Sequence, residues 1–243
     1  MRLAGKKALV TGASRGIGKA IALAFAAEGA DLAISARTLD ALKETADGIA
    51  AKGRRAYPMA WDVSDIAQTD ARLAEAKQNL GGLDIVVNNA GVLRLPKDSS
   101  SSAPDALWDY TMDINLKALY FLCQSAARLM KEQKSGIIIN IASDAGLRGA
   151  PHPYGISKWG VIGLTRGLGK DLAPHGVRVN AIAPGPVATE MMNWQPGKPM
   201  TAPNLPLGRY ALPEEIAGVA LFLASEDSRA VFGQAIVVNS GNP

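Results

Sequence analysis

Cysteine is nearly missing from this sequence: Cys123 stands alone among 243 residues, so no disulfide can close within the chain. That absence points away from a disulfide-stapled secreted scaffold and toward a chain held together by burial. Cys123 itself sits in the apolar run Leu119–Cys123 and reads as a small core residue rather than a reactive thiol. Long apolar runs are missing too, and none approaches the roughly 18 residues that would suggest a membrane span. No basic run is long enough to suggest nucleic acid, and no metal site is expected. The N-terminal residues lead directly into a strand pattern without the apolar region of a signal peptide, so a cytoplasmic protein is the expectation. A net charge of +4 suits an anionic cofactor or substrate, although proteins without either often carry as much.

What is present is a regular alternation. Short apolar runs at Lys7–Thr11, Asp31–Ser35, Arg55–Trp61, Leu83–Asn88, Gly136–Ala142, Gly176–Ala183 and Ala235–Val238 read as strands. Most are continuously apolar, as strands covered on both faces must be. Helix-length segments lie between them: Gly16–Glu28, Asp40–Lys52, Ile66–Leu80, Met112–Glu132, Tyr154–Leu172 and Pro213–Ala224. Strand–helix alternation with short connections predicts an α/β fold, a single doubly wound domain whose seven-stranded parallel sheet carries helices on both faces. Two segments break the rhythm. Lys97–Ala103, with four consecutive serines, reads as a surface loop. Met191–Leu207, rich in proline and methionine, follows a strand end and reads as a mobile lid over a pocket, within a substrate loop at about residues 186–210, or else as a long solvent loop.

The first strand runs into Thr11-Gly12-Ala13-Ser14-Arg15-Gly16-Ile17-Gly18, and a helix follows. Gly12 permits a tight turn, Gly16 lets backbone approach a pyrophosphate, and Gly18 lets helix and strand pack closely. The free N–H groups at the start of that helix then face the phosphates. Three glycines alone are a weak signal; their place after the first strand of a βαβ pattern strengthens it. The second strand ends Ile34-Ser35-Ala36-Arg37, with no acid until Asp40. A carboxylate there would accept from ribose hydroxyls, whereas Arg37 and Arg15 suit a ribose 2′-phosphate, which favours NADP(H) over NAD(H).

The next cluster is Asn140-Ile141-Ala142-Ser143 followed by Tyr154-Gly155-Ile156-Ser157-Lys158. Four residues are about one helical turn, so Tyr154 and Lys158 share a face. A phenol of ordinary pKa near 10 is a poor acid–base group at neutral pH. The ammonium of Lys158 and the positive nicotinamide of an oxidised cofactor are expected to pull it down. Ser143, at a strand end, would hydrogen-bond the same substrate oxygen. Each residue singly has a plainer reading, as helix start, solvated lysine or turn cap.

Taken together, these motifs resemble the short-chain dehydrogenase/reductase family over essentially the whole chain, and in particular its 3-oxoacyl-[acyl-carrier-protein] reductase-like members. The glycine motif is Thr11–Gly18, the strand-four motif Asn88-Asn89-Ala90-Gly91, and the Pro-Gly turn after strand six Pro184-Gly185. The resemblance implies catalytic roles for Asn115, Ser143, Tyr154 and Lys158. Tyr154 would be the general acid in reduction, Ser143 would polarise the carbonyl, and Lys158 would bind the nicotinamide ribose. Asn115 would hold a water linking Lys158 to solvent. Cofactor contacts are implied for Gly12, Ser14, Arg15, Gly16, Ile17, Gly18 and Arg37, then Asp62, Val63, Asn89, Ala90 and Gly91. Tyr154, Lys158, Pro184, Gly185, Val187 and Thr189 complete that set. The usual assembly of the family is a homotetramer, with interfaces on the helices Met112–Glu132 and Tyr154–Leu172.

Some features depart from the pattern. Ser143 and Tyr154 are closer in sequence than is usual, the stiff Gly149–Pro153 lies between them, and the C-terminus ends Asn239-Ser240-Gly241-Asn242-Pro243. His152 in that linker reads as an exposed loop residue or a substrate neighbour, and His175 as structural. Leu93, Leu95, Met191, Met192 and Trp194 are candidates for an apolar substrate pocket. The leading expectation is an NADP(H)-dependent reductase of a ketone or 3-oxoacyl thioester. The alternatives are a polyol, sugar or cyclic-alcohol dehydrogenase working oxidatively, and a non-catalytic nucleotide-binding regulator on the same fold.

Overall fold

The computed structural model describes residues 1–94, 104–192, 194–195 and 197–242. The expected loop Lys97–Ala103 and the pocket candidate Leu95 lie outside them.

Seven strands lie among the described residues: Lys7–Thr11 (β1), Asp31–Ala36 (β2), Ala56–Ala60 (β3), Ile85–Asn88 (β4), Gly136–Ile141 (β5), Val177–Pro184 (β6) and Ala235–Val238 (β7). They form one sheet in the order β3-β2-β1-β4-β5-β6-β7. Every pairing is parallel. The chain begins at the middle, winds outward to β3, then returns to place β4 on the other side of β1. At that reversal the connections leave in opposite directions, and a crevice opens beyond the carboxyl ends of β1 and β4.

Side-chain alternation explains why the strands read as continuous apolar runs. Ala8 and Val10 of β1 point into one core, with Ile21 and Phe25 of helix Gly16–Ala27 (α1), Ile49 of Lys43–Ala50 (α2) and Ile216 of Pro213–Ala224 (α7). Leu9 points into the other, as do Leu73 of Thr69–Leu80 (α3) and Val161 of Pro153–Leu172 (α6). Ile138 divides in the same way from Ile137 and Ile139 on β5. Cys123 is buried in the second core, where loss of water pushes its thiol up to about 12, as suits a packing residue.

One helix differs from expectation. Instead of a single helix over Met112–Glu132, α-helix Pro104–Met112 (α4) passes through a π-turn at Asp113–Lys117 and continues as Ala118–Gln133 (α5). A π-turn accommodates an extra residue and tends to mark functional positions. Asn115 lies within it and is fully buried.

Buried amides join the sheet to its helices beside the crevice. Asn88 and Asn140 are register partners on β4 and β5, and the Asn88 amide donates to Asn140 Oδ1 at 2.8 Å. Asn140 Nδ2 donates to Thr165 Oγ1 at 3.0 Å. Replacing Asn140 with Ala removes both bonds, leaving Asn88 Nδ2 with only Cys123 Sγ and Thr165 Oγ1 with only Val161 O in the core. The expected cost is about 2–3 kcal/mol, read as a lower urea midpoint with unchanged slope.

The segment after β6 is tied down at several points. Val187 bridges to Ala211 and Thr201 to Arg209, Ala202 and Leu205 are buried, and the Leu207 N–H donates to Ser240 O at 3.1 Å.

Candidate active site

A cleft of about 590 Å³ lies over the carboxyl ends of the strands. Its floor begins at the turn after β1. Gly12 has φ +65°, and a Cβ there would stand 2.9 Å from Ala90 Cα. A Cβ at Gly18 would collide with the Gly12 carbonyl oxygen and the Asn89 amide. Glycine is therefore required at both positions by close approach, as the sequence motif implied. Thr11 and Asn89 stitch the two central strand ends together. Thr11 Oγ1 accepts from the N–H groups of Asn89 and Ala90, both at 3.1 Å, and Asn89 Nδ2 donates to Thr11 O and Gly12 O.

Helix α1 starts beside this floor. Its N-cap, Arg15, makes no side-chain capping bond, and its first turn carries no acid. The leading N–H groups and the positive end of the helix dipole are thus left for an anion. Ser14, Gly16 and Ile17 line the cleft here. Beyond them stand the exposed Arg37 after β2, with Asp62 and Val63 after β3. Asp62 is held below the usual carboxylate range by the hydroxyl and N–H of Ser64, at 2.7 and 3.0 Å. Burial opposes that shift, and the charge of Arg37 adds to it.

At the opposite end, Ser143 follows β5 in extended conformation. Its hydroxyl accepts from the N–H of Ala145 at 3.2 Å, while its one proton is shared between Pro184 O at 3.3 Å and Asp144 Oδ1 at 3.4 Å. Tyr154 is the second residue of α6. That helix is capped by His152, whose Nδ1 accepts from the Gly155 N–H at 3.1 Å. A neutral imidazole accepting at Nδ1 carries its proton on Nε2. The His152 and Tyr154 rings stack at 6.3 Å. One turn on, Lys158 is buried and its ammonium donates to Ile141 O at 2.8 Å.

The electrostatics depart from the expectation for Tyr154. Burial pushes its phenol above the usual value, the neighbouring Ser143 hydroxyl pulls it back, and the Asp144 carboxylate pushes it up again. Lys158 does not reverse this: its nitrogen lies 5.8 Å from the Tyr154 ring centroid, and burial lowers its own affinity for a proton to about 8. The phenol is accordingly protonated, a donor beside the Ser143 hydroxyl. Two hydroxyls converging on one void can hold and protonate a single oxygen atom.

Asn115 stands behind the cleft rather than in its lining. Its Oδ1 accepts from the Val92 N–H at 2.8 Å, and its Nδ2 donates to Val92 O at 2.9 Å and Ser157 Oγ at 3.3 Å. Ser157 in turn donates to Tyr154 O at 2.7 Å. These bonds join the loop after β4 to the turn of helix carrying Tyr154. Asn115 Oδ1 also faces Lys158 across Gly91, where a Cβ would lie 3.2 Å from Oδ1 and 3.5 Å from Nζ.

Every expected cofactor residue lines the cleft, including Asn89, Ala90, Gly91, Pro184, Gly185, Val187 and Thr189. Among the apolar candidates Leu93, Met191 and Met192 line it as well. Trp194 does not; its indole donates to Lys198 O at 3.2 Å. Asp144 and Arg148 also border the cleft, and neither was singled out in the sequence. An Asp followed four residues later by an Arg is a visible pairing signal, obscured here by glycines that rule out a continuous helix. His175 is exposed in the turn before β6, away from the cleft.

A nicotinamide dinucleotide fits these residues. The glycine floor and the uncapped helix start suit its pyrophosphate, and the length of the cleft from Arg37 to Tyr154 suits its two nucleoside ends. A family model described as enoyl-(acyl carrier protein) reductase matches residues 12–242. The chain is 40% identical to a 3-oxoacyl-[acyl-carrier-protein] reductase of Thermotoga maritima, with 99% of each covered. A crystal structure of a short-chain type dehydrogenase/reductase from Mycobacterium marinum superposes with TM-score 0.89 at 38% identity, covering 98% of this chain and 96% of that one. An NAD⁺-bound xylitol dehydrogenase superposes with TM-score 0.86 at 29% identity, covering 98% and 99%. The chain belongs to the short-chain dehydrogenase/reductase family and is an oxidoreductase of alcohols and carbonyls that uses a nicotinamide cofactor.

Proposed function

We propose that this protein is an NADP(H)-dependent reductase that turns a ketone, or the keto group of a 3-oxoacyl thioester, into a secondary alcohol. The observation that carries the reading is the placement of the Ser143 and Tyr154 hydroxyls on one cleft beside the buried Lys158, with burial and Asp144 raising the phenol above its usual value. When bound, the nicotinamide supplies the hydride. Ser143 donates to the substrate oxygen and orients it. Tyr154 gives that oxygen its proton as charge develops there, which makes it the general acid. Lys158 holds the nicotinamide ribose, and Asn115 keeps the turn carrying Tyr154 in register with Gly91 and Val92. The 186–210 segment covers the substrate end of a single nucleotide-binding domain.

Preference for the 2′-phosphate rests on Arg37 and Arg15, together with the absence of an acid at the end of β2. Replacing Arg37 with Asp should lower the NADPH/NADH ratio of kcat/KM by about 100-fold or more, since it exchanges a charge-assisted clamp for repulsion. Steady-state nicotinamide absorbance checks this, and an unchanged ratio counts against the assignment.

A homotetramer is the assembly we favour. Trp108, Tyr120, Phe121, Ile156 and Trp159 are exposed along α4, α5 and α6, and Trp159 is 69% accessible, the kind of surface that a second copy covers. Cytoplasmic residence accords with the single buried thiol, and among the described residues no helix is long and apolar enough to cross a membrane. The oxidative reading, a polyol or sugar dehydrogenase, draws on the likeness to xylitol dehydrogenase. Matching alcohols assayed with NADP⁺ and NAD⁺ decide between the two directions.

A further inference from the structure

The substrate end of the cleft contains an ion pair that the reaction as described does not use. Asp144, directly after Ser143, is only 4% exposed. Among the described residues its Oδ2 has no hydrogen-bond partner, yet Arg148 Nη2 stands 3.2 Å away, close enough for an ion pair but out of line for a hydrogen bond. The Arg148 N–H donates to Asp144 O at 3.0 Å, so one tight turn sets the two side chains together. Arg148 is about half exposed and lines the cleft with Ser143, Tyr154 and His152. Among the described residues its guanidinium has no hydrogen-bonded partner, so its donors remain available.

The geometry points to Arg148, steadied by Asp144, as the anchor for a carboxylate on the substrate, which makes the preferred substrate a keto acid, or the matching hydroxy acid. The inference rests on the reading that Ser143 and Tyr154 hold the reacting oxygen. A planar guanidinium with free parallel donors matches a carboxylate in a way that a lysine does not. The Asp144 carboxylate reaches both residues, Arg148 Nη2 at 3.2 Å and Ser143 Oγ at 3.4 Å, so the substrate's carboxylate and reacting oxygen would be a few bonds apart. The other charges here do not compete. Asp113 is paired with Lys117 at 3.1 Å, Glu190 repels an anion from its side, and Lys158 donates to Ile141 O and serves the nicotinamide ribose. An uncharged oxoacyl thioester would leave Arg148 idle.

Two matched pairs test this in the wild type, Arg148→Met and Arg148→Lys: benzoylformate against methyl benzoylformate, and levulinate against methyl levulinate, each with NADPH. The wild type is expected to favour the acid in at least one pair by about 10- to 100-fold in kcat/KM. Arg148→Met should bring that ratio close to one, and Arg148→Lys should keep part of it. Equal or better use of both esters by the wild type overturns the proposal. So does an Arg148→Met enzyme that loses acid and ester in the same proportion, which marks a structural role. If neither pair turns over, calorimetry of mandelate against methyl mandelate on the NADP⁺-loaded protein decides. Arg148-dependent preference for mandelate sustains the anchor even where the proposed reduction fails, and no preference ends it.

Discussion

Tyr154→Phe is expected to lower kcat by about two to four orders of magnitude while leaving dinucleotide affinity close to that of the wild type. The substitution removes one oxygen and little else. The ring keeps its place against His152, and the cap from His152 Nδ1 to the Gly155 N–H does not involve the phenol. What disappears is the proton donor for the developing alkoxide. Ser143 alone can still hydrogen-bond that oxygen, so residual hydride transfer with proton uptake from water sets the floor. Stability should move little, because burial already disfavours the charged form of the phenol. Single-turnover absorbance decay with NADPH, paired with fluorescence titration of the cofactor, checks both halves. A variant retaining more than about a tenth of kcat would remove Tyr154 from the acid's role.

Much of this architecture is written locally in the sequence. Parallel strands covered on both faces have no polar face to show, so β1, β4, β5 and β6 stand out as apolar runs. The glycines at positions 12 and 18 are legible because their need is geometric and immediate: there is no room for a Cβ. Tyr154 and Lys158 are legible because four residues bring side chains to one helical face.

Other features depend on partners distant in sequence and are therefore silent. The role of Asn115 is set by Val92 and Ser157, which no local pattern connects to it. The π-turn around it looks like an ordinary helix in sequence, since one inserted residue barely alters the apolar period. Helix α4 did carry a start signal in Pro104-Asp105, overshadowed by the serine run before it. His152 was also readable in part: Pro153 marks a first helical position, which makes the residue before it the cap. The direction of the Tyr154 shift was not readable, because burial and Asp144 outweigh the lysine that helical spacing brings near.

Lys158→Met should abolish most turnover and also change how stability depends on pH, and the second effect tests the buried ammonium independently of activity. Burial lowers the lysine from its ordinary 10.5 to about 8 in the folded protein. Between those values the unfolded chain binds more protons than the native one, so this group makes stability rise as pH increases from about 8 to 10.5. The full span is about 3 kcal/mol, and below pH 8 the cost of burying the charge is present in full. Cys123 acts in the opposite sense. Its thiol moves from 9.0 to about 12, so its contribution is intact below pH 9 and is lost as pH rises toward 12. The raw stability curve mixes the two, whereas the difference between wild type and Lys158→Met isolates the lysine, since Cys123 is common to both. From pH 8 to 9.5 that difference should grow in favour of the wild type by about 1 kcal/mol per pH unit, measured as urea midpoints in the absence of cofactor. A flat difference would mean that Lys158 keeps its proton throughout, and that its ammonium is better stabilised by Ile141 O and the Asn115 amide oxygen than its burial implies. The same variant removes the proposed ribose contact and, below about pH 8, the cationic neighbour of Tyr154, so kcat should fall by at least about two orders of magnitude in that range.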